Sequence, residues 1–213
     1  MAFIDYSKNE ITCKLVYCGP GLSGKTTNII RIYQTVSPAS RGELVSLYTS
    51  FKRTLFFDFL PVDLGEIQGF RVRFQLYSVP GQACYAAVRR LVFQGADGLV
   101  FVADSTRDRM DANLEAIRDL HENMAFYGYS NEEMPLVFQL NKRDMEDIHP
   151  PDYLIEEICS PGAPVFEASA YRNVGVRETF KEAGRRILAD VKESIDREVP
   201  STWVTGSLPD LPR

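Results

Sequence analysis

The sequence predicts an α/β protein with a mostly parallel six-stranded sheet, one antiparallel strand and helices on both faces. Apolar runs of strand length alternate with helical patterns along its 213 residues. Two neighbouring runs are joined by DLGEIQG, which is too short for a crossover helix and therefore predicts an antiparallel pair. In sheets of this class ligands bind beyond the carboxyl ends of the strands, so site residues are expected there.

Six apolar segments are predicted as the strands: residues 11–18, 53–62, 70–79, 97–105, 135–141 and 163–169. The first ends just before a glycine-rich segment, and the second and third flank DLGEIQG and form the antiparallel pair. The fourth is apolar nearly throughout, which is typical of a strand buried on both faces. The last two, PLVFQLN and APVFEAS, each follow a helical segment.

Four helical segments alternate with these strands: residues 25–36, 108–128, 151–159 and 175–198. The first places Ile29, Ile32 and Tyr33 on one side, at the spacing of an amphipathic helix. The sequence PSTWVTGSLPDLPR at the end has three prolines and no periodicity. Residues 1–199 are therefore predicted as one domain and residues 200–213 as a flexible tail.

The composition argues against several classes of protein. The formal net charge is −5, so the chain has no general electrostatic attraction for nucleic acid or an anionic membrane. Four cysteines lack paired spacing and neighbouring histidines, which indicates reduced thiols rather than a zinc site. The start lacks a signal-peptide layout, Ala2 excludes myristoylation, and the last residues carry no cysteine for prenylation. These features predict a cytoplasmic protein without a lipid anchor.

The segment GPGLSGKT, residues 19–26, matches the P-loop pattern. It follows a strand and opens a helix, where glycines let main-chain N–H groups face a phosphate and the helix N-terminus adds positive potential. Lys25 is expected to contact the terminal phosphates, and the Thr26 hydroxyl to coordinate Mg²⁺. A glycine-rich turn without a ligand is the alternative. The residues assigned to phosphate binding are Gly19, Gly21, Leu22, Ser23, Gly24, Lys25, Thr26 and Thr27.

Two further segments at strand ends predict recognition of a guanine base. In FQLNKRDM, the Asp144 carboxylate can accept hydrogen bonds from the guanine N1–H and 2-amino groups, a pattern that adenine lacks. The stem of Lys142 is expected to lie over the ring, and Asn141 to brace the loop. In FEASAY, the small residues Ser169 and Ala170 let a main-chain N–H approach the guanine carbonyl. Together with the P-loop, these residues predict a site for GTP and GDP.

The order of GPGLSGKT, TLFFDF, PGQ, NKRD and EASA resembles that of Ras-superfamily small GTPases. The segments KLVYCGPGLSGKTTN, RTLFFDFLP and YSVPGQ closely resemble the bacterial MglA-type GTPases, and the resemblance covers residues 3–198. It implies a small GTPase fold and a GTP-hydrolysing switch that controls cell polarity or gliding motility, with slow intrinsic hydrolysis. It also implies an MglB-like roadblock-domain activating protein that forms a homodimer, polarity or motility effectors, and concentration at a cell pole.

The resemblance also assigns the residues that act on the γ-phosphate. Thr54 is in the right order to be the switch threonine that senses the γ-phosphate and Mg²⁺, and Arg53 to be an internal arginine finger. The Gly81 N–H is expected to contact the γ-phosphate while Gln82 orients the attacking water. Ras-like proteins place an aspartate four residues before that glutamine, but this chain has Ser78. A neutral hydroxyl supplies no charge to the cation, so weaker Mg²⁺ retention is expected.

Two other functions remain open at the level of sequence. A nucleotide-dependent interaction module with little hydrolysis is compatible with Ser78, and a P-loop kinase or ATPase is compatible with the strand order. Asp144 opposes the second alternative, because a carboxylate at that position selects guanine. The neighbouring Arg89 and Arg90 are expected to be solvated, and Trp203 is a candidate docking residue in the tail.

Overall fold

The computed structural model of the chain describes residues 2–48, 54–81, 86–130 and 133–198. Side chains are described for these residues except at 47–48, 54–57 and 194–198. The predicted tail with Trp203 lies outside the described residues, as do Arg53 and Gln82.

An eight-stranded sheet runs through the described part of the chain. Its strands are β1 Phe3–Asp5, β2 Glu10–Cys18, β3 Val45–Tyr48, β4 Thr54–Ile67, β5 Phe70–Ser78, β6 Gly98–Asp104, β7 Leu136–Asn141 and β8 Val165–Glu167. Their order is β3-β4-β5-β2-β6-β7-β8, and β1 pairs with the start of β2. The pairs β2–β5, β2–β6, β6–β7 and β7–β8 are parallel.

The predicted α/β class is confirmed, and the sheet contains two strands more than the predicted six. The added strands, β1 and β3, have three and four residues, which is too short for a periodic pattern to predict them. Each of them pairs antiparallel with a longer strand, β1 with β2 and β3 with β4. The predicted antiparallel pair, β4 and β5, is also present.

Five α-helices within the described ranges cover both faces of the sheet. They are α1 Lys25–Thr35, α2 Ala86–Phe93, α3 Met110–Phe126, α4 Pro151–Ile158 and α5 Val176–Glu198. Helices α1 and α5 pack on one face, where Ile29 and Phe180 join the apolar core. Helices α2, α3 and α4 pack on the other, through Phe93, Leu120 and Leu154. None of the helices in the described ranges is long and apolar enough to cross a membrane.

The β4–β5 hairpin differs from the predicted boundaries, because β4 continues to Ile67 rather than ending at residue 62. Residues Gln68 and Gly69 form the turn, with φ values of 51° and 82°. Two successive positive φ angles are typical of the tight turns that join antiparallel strands. The pairing register shifts between Asp63 and Gly65, which breaks the alternation of side chains and hides the strand from a pattern search.

The carboxyl ends of the parallel strands bring the functional segments together. Cys18 at the end of β2 is paired with Phe101 of β6, and Asp104 at the end of β6 is paired with Asn141 of β7. The loops that follow β2, β6 and β7 therefore leave the sheet along one edge. The predicted P-loop and the predicted base-binding segment both lie on this edge.

Candidate nucleotide-binding site

The phosphate loop connects β2 to α1. Gly24 is the N-cap of α1 and has a φ of 102°, a left-handed conformation that favours glycine. A Cβ at Gly24 would collide with the side-chain amide of Asn141. Leu22 also has a positive φ, 67°, and its side chain is exposed. The tight turn at Gly24 therefore lets the phosphate loop pack directly against the strand end that carries Asn141.

Lys25 lies in the first turn of α1 and is only 6% exposed. Its Nζ donates hydrogen bonds to the main-chain carbonyls of Gly19, at 3.0 Å, and Pro20, at 2.6 Å. Burial lowers the pKa of Lys25 to about 8. A buried ammonium group surrounded by glycine-rich main chain is suited to bind an anion, which would take the place of the two carbonyls.

Thr26, Asp58 and Ser78 form a hydrogen-bonded group beside the phosphate loop. The Thr26 hydroxyl donates to Oδ2 of Asp58 at 2.6 Å, and the Ser78 hydroxyl donates to the same oxygen. Asp58 and Ser78 face each other across the β4–β5 pair, and both are fully buried. The carboxylate that position 78 lacks therefore lies on the neighbouring strand. Strand pairing brings Asp58 to Ser78, so spacing along the chain does not indicate a role for Asp58.

The second oxygen of Asp58, Oδ1, is buried and has no hydrogen-bond partner among the described residues. The buried hydroxyl of Ser23 in the phosphate loop is likewise unpartnered in this part of the chain. A buried carboxylate oxygen without a partner is unfavourable unless a further group binds it. Carboxylate and hydroxyl oxygens are the ligands that Mg²⁺ prefers, so Asp58 and Thr26 fit this cation.

Asn141 connects the base loop, which follows β7, to the phosphate loop. Its side chain is 2% exposed, and its Nδ2 donates to the carbonyl of Ser23 at 2.6 Å. Its Oδ1 accepts from the main-chain N–H of Ala170 at 2.8 Å. One side chain thus joins three loops, each from a different part of the sequence.

Asp144 and Ser169 meet on the other side of the base loop. The Ser169 hydroxyl donates to Oδ1 of Asp144 at 2.6 Å and accepts from the main-chain N–H of Arg172 at 3.1 Å. Lys142 has a φ of 64°, and its Nζ donates to Oδ2 of Asp104 at 2.6 Å. The structure therefore holds the side chains predicted to contact a base through hydrogen bonds to neighbouring protein groups.

Gly81 lies directly against the phosphate loop. A Cβ at Gly81 would collide with the main chain of Gly19, Pro20 and Gly21. Any larger residue would force the segment after β5 away from the loop. The predicted contact between this segment and the terminal phosphate is therefore compatible with its position.

Of the residues predicted to act on the γ-phosphate, only the main chain of Thr54 lies among those the structure describes, in addition to Gly81. Thr54 is the first residue of β4, and its Cα is paired with Tyr48 of β3, but its side chain is not among those described. Arg53 and Gln82 lie outside the described residues. The roles of these three residues remain predictions.

Arg89 corrects one expectation, because it is not solvated. It is 8% exposed and forms two hydrogen bonds to the carboxylate of Asp119 in α3, at 2.8 and 2.9 Å. It also donates to the carbonyl of Pro80 at 3.3 Å. Arg90, one position later, lies over the ring of Phe126 instead, with 4.4 Å from its guanidinium carbon to the ring centre. Arg89 therefore anchors α2 to α3 and holds the residue before Gly81, through a partner that sequence spacing does not reveal.

Three features of the site together define the class of protein. They are a glycine-rich loop between β2 and α1, a buried lysine at the end of that loop and a polar loop after β7. The chain is a P-loop nucleotide-binding protein of α/β architecture. The Ras family model matches residues 14–189. The chain is also 47% identical over 193 residues to the mutual gliding-motility protein MglA of Myxococcus xanthus, covering 91% of this chain and 99% of that protein. The chain therefore belongs to the Ras family and is a small GTPase of the MglA type.

More distant similarity extends to eukaryotic Ras-related proteins. Human Rab-3A is 29% identical over 147 residues, which cover 64% of this chain and 60% of that protein. Rab-32C of Dictyostelium discoideum is 29% identical over 183 residues, which cover 84% of this chain and 74% of that protein. Both relatives agree with the assignment to the Ras family.

Proposed function

We propose that this chain is a GTP-hydrolysing molecular switch that controls gliding motility or cell polarity. The process is inferred from the relative whose name is mutual gliding-motility protein MglA. The observation that most supports nucleotide binding is the position of Asn141, whose side chain joins the phosphate loop at Ser23 to the Ala170 segment. This arrangement supports one nucleotide with its phosphates at one loop and its base at the other.

Guanine is the base that the proposed site selects. The Asp144 carboxylate is held in place by the Ser169 hydroxyl, which leaves it able to accept from the N1–H and 2-amino groups of guanine. The stem of Lys142 would pack over the ring, and the small residues Ser169 and Ala170 would let a main-chain N–H of this segment approach the guanine carbonyl. The phosphates bind to the main chain of residues 19–24 and to Lys25, with Thr27 in the first turn of the helix.

Magnesium is the proposed cation of this site. Thr26 and Thr54 would hold it through their hydroxyls, and Asp58 would contribute the negative charge that Ser78 does not. When bound, Mg²⁺ neutralises charge on the phosphate oxygens during transfer. The unpartnered Oδ1 of Asp58 supports this assignment. Asp58 on the neighbouring strand would then replace the negative charge that Ser78 lacks, so Mg²⁺ would be retained more strongly than Ser78 alone suggests.

Hydrolysis is proposed to depend on Gln82, which orients the attacking water, and on Arg53, which supplies positive charge to the transferring group. An arginine finger accelerates such reactions by about 10³ to 10⁵. If a partner is needed to place Arg53, the unassisted reaction is slow. The partner proposed here is an MglB-like roadblock-domain homodimer, and the GTP form then binds polarity or motility effectors.

The remaining proposals concern organisation and location. Residues 1–199 form the GTPase domain, and residues 200–213 form a tail. The protein acts in the cytoplasm and concentrates at a cell pole, and it does not bind nucleic acid.

A time course of GTP hydrolysis with purified protein, while the roadblock-domain protein is titrated in, tests the proposal. We expect slow turnover alone and a saturable increase of at least a hundredfold with the partner. Arg53→Ala and Gln82→Leu should bind GTP nearly normally and lose the stimulated rate. Unchanged stimulated rates in both variants would exclude these residues from the mechanism.

A second candidate function is a nucleotide-dependent interaction module with little hydrolysis, which Ser78 favours. Single-turnover GTP hydrolysis with and without the partner distinguishes the two, because a module of this kind stays slow in both conditions. Protection against thermal unfolding by GDP but not by ADP excludes a kinase or an ATPase, since selective binding stabilises the folded state.

A further inference from the structure

We propose that Asp104 is a positioning residue of the nucleotide site, because its carboxylate joins the base loop at Lys142 to the phosphate loop through Arg109. This inference rests on the proposed binding of guanine nucleotides. It assigns a role to a buried acidic residue that no sequence motif of the site includes.

The carboxylate of Asp104 is paired with Lys142 in the base loop. Oδ2 of Asp104 accepts a hydrogen bond from Nζ of Lys142 at 2.6 Å, and the Asp104 side chain is fully buried while that of Lys142 is 31% exposed. A buried carboxylate is stable only when it is paired, so this contact is retained rather than exchanged with water. The ammonium end of Lys142 is therefore fixed, and its apolar stem is left to contact a base.

Arg109 lies between Asp104 and the phosphate loop. Nε of Arg109 lies 3.8 Å from Oδ2 of Asp104, and Nη2 of the same side chain donates to the carbonyl of Gly21 at 2.8 Å. The 3.8 Å contact is an ion pair rather than a hydrogen bond, and its charge attraction keeps the planar guanidinium beside the carboxylate. Arg109 therefore connects the buried carboxylate to the middle of the phosphate loop.

Asp104 is itself held by hydrogen bonds to Thr106 and Asn113. Its Oδ1 accepts from the main-chain N–H of Thr106 at 3.2 Å and from the Thr106 hydroxyl at 2.8 Å. The buried side chain of Asn113 in α3 accepts from the Asp104 N–H at 3.0 Å and donates to its carbonyl at 2.8 Å. Main chain and carboxylate are both fixed, so Asp104 orders Lys142 and Arg109 before a nucleotide binds. Such preorganisation lowers the entropic cost of binding.

The test compares the binding of a fluorescent GDP analogue to the wild-type chain and to Asp104→Asn, measured at equilibrium and as a dissociation rate. We expect the affinity of Asp104→Asn to fall by about tenfold to a hundredfold, mainly through faster dissociation. The matched control is Glu182→Gln, which removes a carboxylate that pairs with Arg185 and Arg186 on α5. The affinity of this control should equal that of the wild type.

A double-mutant cycle separates positioning from a general structural role. Lys142→Met keeps the apolar stem but removes the charge that Asp104 holds. In that background the effect of Asp104→Asn should be at least threefold smaller, because the two residues act together. Additive effects would overturn the proposal, since a role in folding alone does not require Lys142.

Three further outcomes have defined consequences. If Asp104→Asn does not fold, Arg109→Met is measured instead, and an affinity equal to the Glu182→Gln control overturns the proposal. If the wild-type chain itself binds no GDP, the proposed function fails. If the wild type binds and Asp104→Asn matches the control, only the role of Asp104 is lost.

Discussion

The proposed nucleotide site has two ends that are built differently: a base end at Asn141, Lys142 and Asp144, and a proposed metal end at Lys25 and Asp58. At the base end, the polar side chains of Asn141, Lys142 and Asp144 each have hydrogen-bond partners within the protein. At the metal end, Oδ1 of Asp58 is buried without a partner among the described residues. There the ammonium group of Lys25 donates to the main-chain carbonyls of Gly19 and Pro20.

This difference indicates which part of the site is formed by the protein alone. Hydrogen bonds between loops hold the base end in a single arrangement, so it is ready to select a ligand. The metal end contains a carboxylate oxygen and an ammonium group that gain their full interaction energy only with a cation and an anion. We therefore expect the base end to determine which nucleotide binds and the metal end to determine how firmly it is retained.

The largest effect is expected for Lys25→Ala. This change removes the charged donor that is proposed to bind the phosphates. The affinity for GDP in the presence of Mg²⁺ should therefore fall at least about a hundredfold. Isothermal titration calorimetry measures it. Lys14→Ala is the matched control, because Lys14 donates to the carbonyl of Gln94, away from the loop, and its GDP affinity should not change. Near-normal affinity in Lys25→Ala would contradict the assignment of Lys25 to phosphate binding.

The next effect is expected for Asp144→Asn at the base end. The asparagine retains one acceptor but adds a donor that opposes the guanine N1–H, so the preference for GDP over ADP should fall by about tenfold to a hundredfold. Competition between the two nucleotides measures the preference. Asp147→Asn, on an exposed residue paired with Arg107, is the control. If Asp144→Asn discriminates as well as the wild type, another group reads the base.

Asp58→Asn sharpens the comparison at the metal end. It removes a negative charge beside Thr26 and Ser78, so the stabilisation of bound GDP by Mg²⁺ should fall by about tenfold. The measurement is the GDP dissociation rate with Mg²⁺ and with a chelator. The variant and the wild type should differ with Mg²⁺ and agree without it.

Asp63→Asn is the control for that measurement, because Asp63 lies on the same strand but pairs with Arg71 at the surface. It should behave as the wild type in both conditions. An equal loss in Asp58→Asn with and without Mg²⁺ would show that Asp58 supports the strand pair rather than a cation.

The smallest effect is a pH dependence that arises from Lys25. Its pKa falls from 10.5 to about 8 on burial, so the folded chain binds fewer protons than the unfolded chain between these values. The contribution of Lys25 to stability therefore rises with pH across that window. Nucleotide binding requires the charged form, so GDP binding should take up a large part of one proton at about pH 8.5 and little at about pH 7.

Calorimetry of GDP binding in buffers of different ionisation enthalpy measures this proton uptake. The affinity for GDP should also decline above about pH 8, by at most tenfold for each further pH unit. Equal proton uptake at both pH values would show that Lys25 is charged in the free protein throughout the range.

The parts of the site that lie in one continuous segment could be predicted from the sequence. Residues 19–26 carry their own strand, turn and helix start, and the base-loop residues 141–144 directly follow an apolar strand. The sequence alone predicts no role at the site for Asp58, Arg89 or Asp104. Their respective partners Ser78, Asp119 and Lys142 lie 20, 30 and 38 residues away in the chain. No local pattern specifies which strand register or helix contact brings such pairs together.

The sequence by itself determined six of the strands, four of the helices, the phosphate loop and the preference for guanine, because local spacing and side-chain chemistry are sufficient for each. Tertiary structure alone decided where the missing carboxylate lies, since the pairing of β4 with β5 places Asp58 opposite Ser78. It also decided that Asp104 links Lys142 to Arg109. Buried charges must find partners wherever the fold brings them together, and that depends on the register of the strands rather than on distance along the chain.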